Sequence, residues 1–290
     1  MKRIKGNLLL LLMLTGIFVN TGCKTKNTKF KSPQGYDLNK PIKFLMPENL
    51  LEISGLALNN LDSSTIYSIQ DEDGRVFSQL LGQKKALSTR FSGKGDYEDL
   101  AIMSDTVYVL KSNGTLYTFP LDELKKKNAE HVTEWKKFLP EGEYESLYAD
   151  TIAKTLYVLS KNSGQAEKKY QVTGYLIRSA TAELGKPEEF TIDLKALKAM
   201  GFPIKHGLRA SALSRNPVTK EWYILSSINK LLVVTDSNWA VKSVYRLNSS
   251  IFNQPEGITF DKEQNLYISN EGDEITNGKI LKFNYQPDLK

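Results

Sequence analysis

The sequence predicts an all-β chain closed as a single β-propeller of five blades, and three observations carry that expectation. A short motif recurs five times, each copy is followed by strand-like runs at a steady distance, and helical periodicity is nearly missing. The copies read "SGLALN" from Ser54, "EDLAIM" from Glu98, "ESLYAD" from Glu145, "SALSRN" from Ser211 and "EGITFD" from Glu256. Each has Ser or Glu first, a residue from the set Gly, Asp, Ser and Ala second, and Leu or Ile third. Ten to thirteen residues on, a tyrosine follows an apolar residue: Tyr67, Tyr108, Tyr157, Tyr223 and Tyr267, spaced by 41, 49, 66 and 44 residues. Self-similarity at a period of roughly 40–50 residues with strand-like content marks propeller blades. A sandwich of similar size has no reason to repeat one inner-strand motif five times.

In chain order, residues 1–22 read as an export signal. Lys2, Arg3 and Lys5 form a positive start, and Leu8 to Val19 is apolar but shorter than the ~20 residues of a membrane-spanning helix. The segment ends at Gly22-Cys23, and Cys23 is the only cysteine of the chain. A Gly-Cys pair at this place resembles the lipobox of bacterial lipoproteins, with Asn20 departing from the usual aliphatic residue. That resemblance implies a lipidated Cys23 and a bacterial cell-envelope location, anchored to the membrane. Residues 23–36 then read as a flexible basic tether, "KTKNTKFKSPQG" among them. The whole chain carries +6. The signal accounts for three of those charges, which leaves too weak a bias to suggest nucleic acid as a partner. With its one cysteine set aside, an exported chain must rely on a sizeable core rather than on disulfides.

Residues 37–290 form the expected propeller. After each tyrosine come runs rich in β-branched and aromatic residues, such as "RVFSQLL", "TLYTFPL", "YQVTGYLIRS" and "KLLVVTD", separated by turn residues. The first four units each offer four strands and the last only three, ending at "GKILKFNY". The missing strand is available at the N-terminal end as "KPIKFLMP", residues 40–47, with Ile42, Phe44 and Met46 expected inward. Such a strand would close the ring and remove two open sheet edges. The long third interval holds "LKALKAMGFPIKHGLR", read as a short helical insertion near residues 195–208. Degenerate strands there would make the count six.

The first residues of the repeat lead to chemistry. In a propeller the innermost strand of a blade lines the central channel, so Glu98, Glu145 and Glu256 are expected to converge near the axis, with Ser54 and Ser211 at the matching places and Glu52 close by. Simple alternation along a strand would put Glu98 and Leu100 on one face and Asp99 on the other. Converging carboxylates repel, and a cation, lysines, water or protons must offset them. The three glutamates are the candidate metal ligands, for Ca²⁺, a hard ion suited to oxygen donors in irregular geometry. After the tyrosines come Asp71, Lys111, Lys161, Asn270 and Glu271, candidates for a polar ligand site on one rim. The competing reading makes these turn residues, with the lysines neutralising the glutamates. His131 is expected exposed on an outer strand, and His206 falls in the insertion. "DEDG" fails as a calcium loop, because aligning Gly74 puts Ile69 and Leu80 at ligand positions.

"EISGLALN", "DEDGRVF", "GDYEDLAI", "YESLYAD", "SALSRNP" and "QPEGITFD…LYISNE", in this order and spacing, resemble the SdiA-regulated family of exported bacterial β-propellers. The resemblance covers residues 51–285. It implies a propeller in the envelope, with links to calcium and to phytase-like propellers, and supplies no catalytic residue set. Two function classes stand open: a monomeric propeller that binds a small ligand, a metal or an envelope protein, and a calcium-dependent phytase-like or lactonase-like hydrolase using the channel carboxylates. Binding without turnover is the reading carried forward.

Overall fold

A computed structural model of the chain describes residues 30–161, 169–179, 183–273 and 275–289. Residues 1–22, expected as the signal, and residues 23–29, Cys23 and the first half of the expected tether, lie outside the described residues. Strand β1 (Ile42–Leu45) precedes the blades. Blade one holds β2 (Ile53–Asn59), β3 (Asp62–Gln70), β4 (Asp73–Gln79) and β5 (Leu87–Lys94). Blade two holds β6 (Tyr97–Met103), β7 (Thr106–Lys111), β8 (Leu116–Pro120) and β9 (Thr133–Trp135). Blade three holds β10 (Tyr144–Asp150), β11 (Thr155–Ser160), β12 (Gln171–Arg178) and β13 (Glu188–Asp193). Blade four holds β14 (Ala212–Arg215), β15 (Trp222–Ser226), β16 (Leu231–Thr235) and β17 (Val241–Arg246). Blade five holds β18 (Pro255–Phe260), β19 (Leu266–Asn270) and β20 (Lys279–Phe283), and takes β1 as its outer strand.

The propeller is therefore five-bladed, each blade a four-stranded antiparallel sheet. The long third interval holds a single helical turn, α1 (Lys195–Ala199), and no further strand among the described residues, which removes the six-blade count. The first strands β2, β6, β10, β14 and β18 lie against one another and surround the axis. Five apolar clusters fill the blade structure, most of them between neighbouring sheets, as where Tyr36, Tyr223, Phe260 and Phe283 meet across blades four and five.

Ring closure stands, with a corrected inward set. Met46 is buried and Phe44 partly so, but Ile42 is 46 % and Leu45 64 % exposed. The reason is that β1 is an outermost strand, with only one neighbour and one face against its blade. The Gly35 N–H donates to the Leu289 carbonyl at 3.0 Å, and Tyr36, expected as the end of the tether, is buried with its hydroxyl donating to the Gln264 carbonyl at 2.7 Å. The docked part of the chain thus begins ahead of residue 37. His131 is exposed as expected but lies before β9, and its Nδ1 meets Glu123 Oε1 at 2.5 Å.

Candidate functional site at the acidic mouth of the channel

One backbone device builds the site. Tyr97 pairs with Lys111 and Asp99 with Leu110, so Glu98 is an extra residue, a β-bulge, in β6. Glu145 is the extra residue between Tyr144 and Ser146, and Glu256 between Pro255 and Gly257. In β2 the register slips over Ser54 and Gly55. A bulge breaks simple alternation and re-aims a side chain, so the sharing of faces expected for Glu98 and Leu100 does not apply. The bulges at Glu98, Glu145 and Glu256 turn these glutamates toward the mouth of the channel, while the third residues of the repeat, Leu56, Leu100, Leu147, Leu213 and Ile258, form a buried aliphatic floor.

The second residue of the blade-two copy fastens blades together. Asp99 is buried, and its Oδ1 accepts the Leu100 N–H at 2.8 Å while Oδ2 accepts the Leu147 N–H of blade three at 2.7 Å. Burial raises the Asp99 pKa well above the usual carboxylate range, and the two N–H bonds oppose that. On the other side Asp99 presses on Gly55, where a Cβ would come within 2.6 Å of the Asp99 Cα. Elsewhere serines do the same work: Ser211 Oγ donates to the Pro255 carbonyl at 3.1 Å, and Ser269 Oγ to the Ser54 carbonyl at 2.6 Å. The acids at the start of β6 therefore serve different ends. Asp99 clips blades, Asp96 accepts a hydrogen bond from Ser112 Oγ, and Glu98 faces the mouth.

A second ring comes from the residue four places after each tyrosine: Asp71, Ser112, Lys161, Ser227 and Glu271. Lys161 is ion-paired with Glu145, and Glu271 accepts a hydrogen bond from Gln254. Burial pushes Glu98 up to about 9, with the charges of Glu145, Asp96 and Glu256 adding and Lys161 opposing. Burial, then Glu271 and Glu145, push Glu256 to about 8 against a hydrogen bond from Ser227 and the Lys161 charge. Burial, then Asp71, Glu52 and Glu145, bring Glu271 to about 7. Burial and Glu52 bring Asp71 to about 6. Glu145 is raised by burial against its Lys161 partner. Burial depresses Lys230, which Glu256 partly offsets, whereas for Lys161 burial is outweighed by Glu145 and the pKa rises. These mutual influences place Glu52, Asp71, Asp96, Glu98, Glu145, Glu256 and Glu271 in one electrostatic unit.

Of the residues singled out in the sequence, Lys111 stands apart: its ammonium lies 5.3 Å from the Tyr97 ring centre, and its charge acts on Glu134 of the outer strand. Ser54 and Ser211 are buried at blade seams. Asn270 is fully buried, and its side-chain oxygen and nitrogen, like Asp71 Oδ1, meet no partner among the described residues. Ser112, Ser227, Lys230 and Gln254 were missed, although the place four residues after the tyrosine was a readable signal for the first two. The mouth carboxylates do not close to ligand spacing: among the described residues the one trio whose ligand atoms lie within 4.8 Å is Glu123, Glu130 and His131. There Glu123 is already engaged by Lys126 at 3.4 Å and by the N–H groups of Glu130 and His131 at 2.7 and 3.1 Å. It is a loop clasp, its acidity increased to about 2 by these hydrogen bonds against burial. The mouth offers carboxylate and amide oxygens, some orphaned, which is donor chemistry suited to a hard cation sharing its shell with water.

Solved structures share the architecture. A PQQ-bound aldose sugar dehydrogenase from Streptomyces coelicolor superposes with a TM-score of 0.55 at 12% identity, covering 87% of this chain and 99% of that one. A luciferin-regenerating enzyme gives 0.53 at 8% identity over 87% and 97% of the two chains. A streptogramin B lyase gives 0.50 at 8% over 85% and 98%. At such identities the likeness is one of fold. No curated protein matches the sequence. The sequence model of one family does match, over residues 46–274, which takes in the whole repeat from the first bulge to the last acidic turn: the chain belongs to the SdiA-regulated family.

Proposed function

We propose that this protein is a ligand-binding propeller of the bacterial envelope, held by a lipidated Cys23, whose acidic mouth takes up Ca²⁺. The observation that carries the reading is the placement of carboxylates at matching bulges on the inner strands of three of the five blades, with one ion-paired lysine among them. Their raised pKa values follow: at neutral pH protons on Glu98 and Glu256 do the neutralising that a cation would do instead. Among the described residues, Asp71 Oδ1 and Asn270 Oδ1 add oxygens without partners. Ca²⁺ would supply positive charge at the axis, and the chain's part is to hold the oxygens, exclude bulk water through burial and release protons. Extracellular calcium modules bind with Kd of ~10⁻⁴–10⁻³ M. At a few millimolar Ca²⁺ the stabilisation is then ~1–2 kcal/mol, readable as a rise in Tm. Glu98→Gln and Glu256→Gln should each shrink that rise. An unchanged Tm in wild type with and without calcium removes the proposal.

A second reading, hydrolysis at the same mouth, has one observation in its favour: Glu271 sits near 7, where a carboxyl group serves best as general acid or base. Calcium-loaded protein turning over phosphate esters or lactones, with loss in Glu271→Gln, would establish it. Binding without turnover leaves the first reading.

A further inference from the structure

The inner strands enclose a second volume, at the end of the channel away from the mouth. It is a cavity of about 560 Å³ whose lining comes from all five inner strands and the turns that follow those of blades one, three and four. Its inner wall is the aliphatic floor described above. The next position along the strands is small in four blades, with Ala57, Ala101, Ser214 and Thr259, and Tyr148 in the fifth. Small side chains at that level hollow out the axis directly beneath the floor. The size lies within the ~300–1,000 Å³ of small-molecule sites, and a mostly apolar lining with a few polar groups is typical of them.

The charged groups stand on one side, on blades three and four. Arg215 Nη1 is paired with Asp150 Oδ2 at 3.0 Å, and its Nε donates to the Lys220 carbonyl at 3.2 Å. Among the described residues, those bonds leave Nη2 for a ligand. Asp150 is spent, because its Oδ1 already accepts the N–H groups of Ile152 at 3.0 Å and Ala153 at 2.9 Å. With Lys220 at the rim, the charged lining residues sum to one positive charge, two cations against one carboxylate. At the lip Ile152 is 91 % exposed, a large aliphatic side chain beside the opening.

We infer that this funnel is a second ligand site, for an amphipathic monoanion whose hydrocarbon body fills the cavity and whose carboxylate meets Arg215 and Lys220. The floor separates it from the acidic mouth, where such an anion would be repelled. The Arg215 guanidinium lies 5.0 Å from the Trp222 ring centre, Tyr148 meets Trp222 edge-on at 5.2 Å, and Trp222 stacks on Trp239 at 4.3 Å. Occupancy should therefore change tryptophan emission.

Dodecanoate, dodecanol and dodecylamine, each below its micelle concentration and with EDTA present, would be titrated into the Trp135→Phe protein, which keeps only the two tryptophans beside the funnel. Calorimetry would give the stoichiometry. The expected result is saturable one-to-one binding of dodecanoate, at least about tenfold tighter than dodecanol or dodecylamine, a preference of the size that one charge-assisted contact supplies. Lys220→Glu, on an exposed turn, should lose about tenfold for dodecanoate with little change for dodecanol, and Ile152→Ser should weaken both. No saturable binding by folded protein, equal affinity for the three probes, or indifference to Lys220→Glu would overturn the assignment. So would binding abolished by Glu98→Gln, which would place the ligand at the mouth.

Discussion

Asp99 of blade two and the backbone of Leu147 in blade three are joined by a buried hydrogen bond of 2.7 Å across the seam between the sheets. The inner strand of each blade is a sheet edge facing the channel, where unpaired N–H groups would be costly. Asp99→Asn keeps one acceptor and sets an NH₂ against a donor, and should cost about 1–3 kcal/mol by chemical denaturation. Gly55→Ala should cost a similar amount, because its methyl group would meet the Asp99 backbone. Melting at the wild-type midpoint in both variants would mean the seam is held elsewhere.

The pH dependence has a definite sign. Glu98 and Glu256 have folded-state pKa values of about 9 and about 8, above those of the unfolded chain. The native state therefore binds more protons than the unfolded one between about pH 5 and 9, and calcium-free stability falls as pH rises through that window. Glu98→Gln and Glu256→Gln should flatten the fall. Lys161→Met, which strips Glu145 of its partner, should steepen it and be most damaging at about pH 9. Thermal melts at several pH values read all of these effects.

Ring closure rests on β1 through its ladder to β20 and through Met46. Deleting residues 40–47 should cost several kcal/mol. Met46→Ala alone should cost about 2–4 kcal/mol, whereas Ile42→Ser, at an exposed position, should stay within about 0.5 kcal/mol. Denaturant midpoints of the three variants check the order.

The proposed lipid anchor at Cys23 is testable separately from folding. Cys23→Ala should move the protein from the membrane fraction to the soluble fraction, or block its maturation, without changing Tm. A correctly cleaved mutant that still partitions with membranes would remove the lipid anchor from the account.

The fold was legible because five copies of one motif, each followed by a tyrosine, can only stack by repeating one supersecondary unit. The strand borrowed from the N-terminal side followed from counting strands in the last unit. What could not be read was the bulge at Glu98, Glu145 and Glu256. A bulge is one residue without a partner on the next strand, and its evidence lies in pairing register rather than in composition. For that reason alternation misplaced Asp99 as a mere opposite face, when it is the clip between blades. Lys111 was misjudged for a related reason. It stands three places after its tyrosine and Lys161 four, and in a strand one place decides between the seam and the mouth. The funnel beneath the floor escaped notice because alanines and serines in a strand carry no chemical signal until five strands bring them to one axis.

The most direct test of the central claim is a calorimetric Ca²⁺ titration at about pH 7.5 in two buffers of different ionisation enthalpy. If the mouth exchanges protons for a cation, calcium should bind with Kd of ~10⁻⁴–10⁻³ M and release protons, and Glu98→Gln should reduce that release. No binding heat at several millimolar Ca²⁺, or binding with identical heats in the two buffers, would contradict a calcium site among these carboxylates.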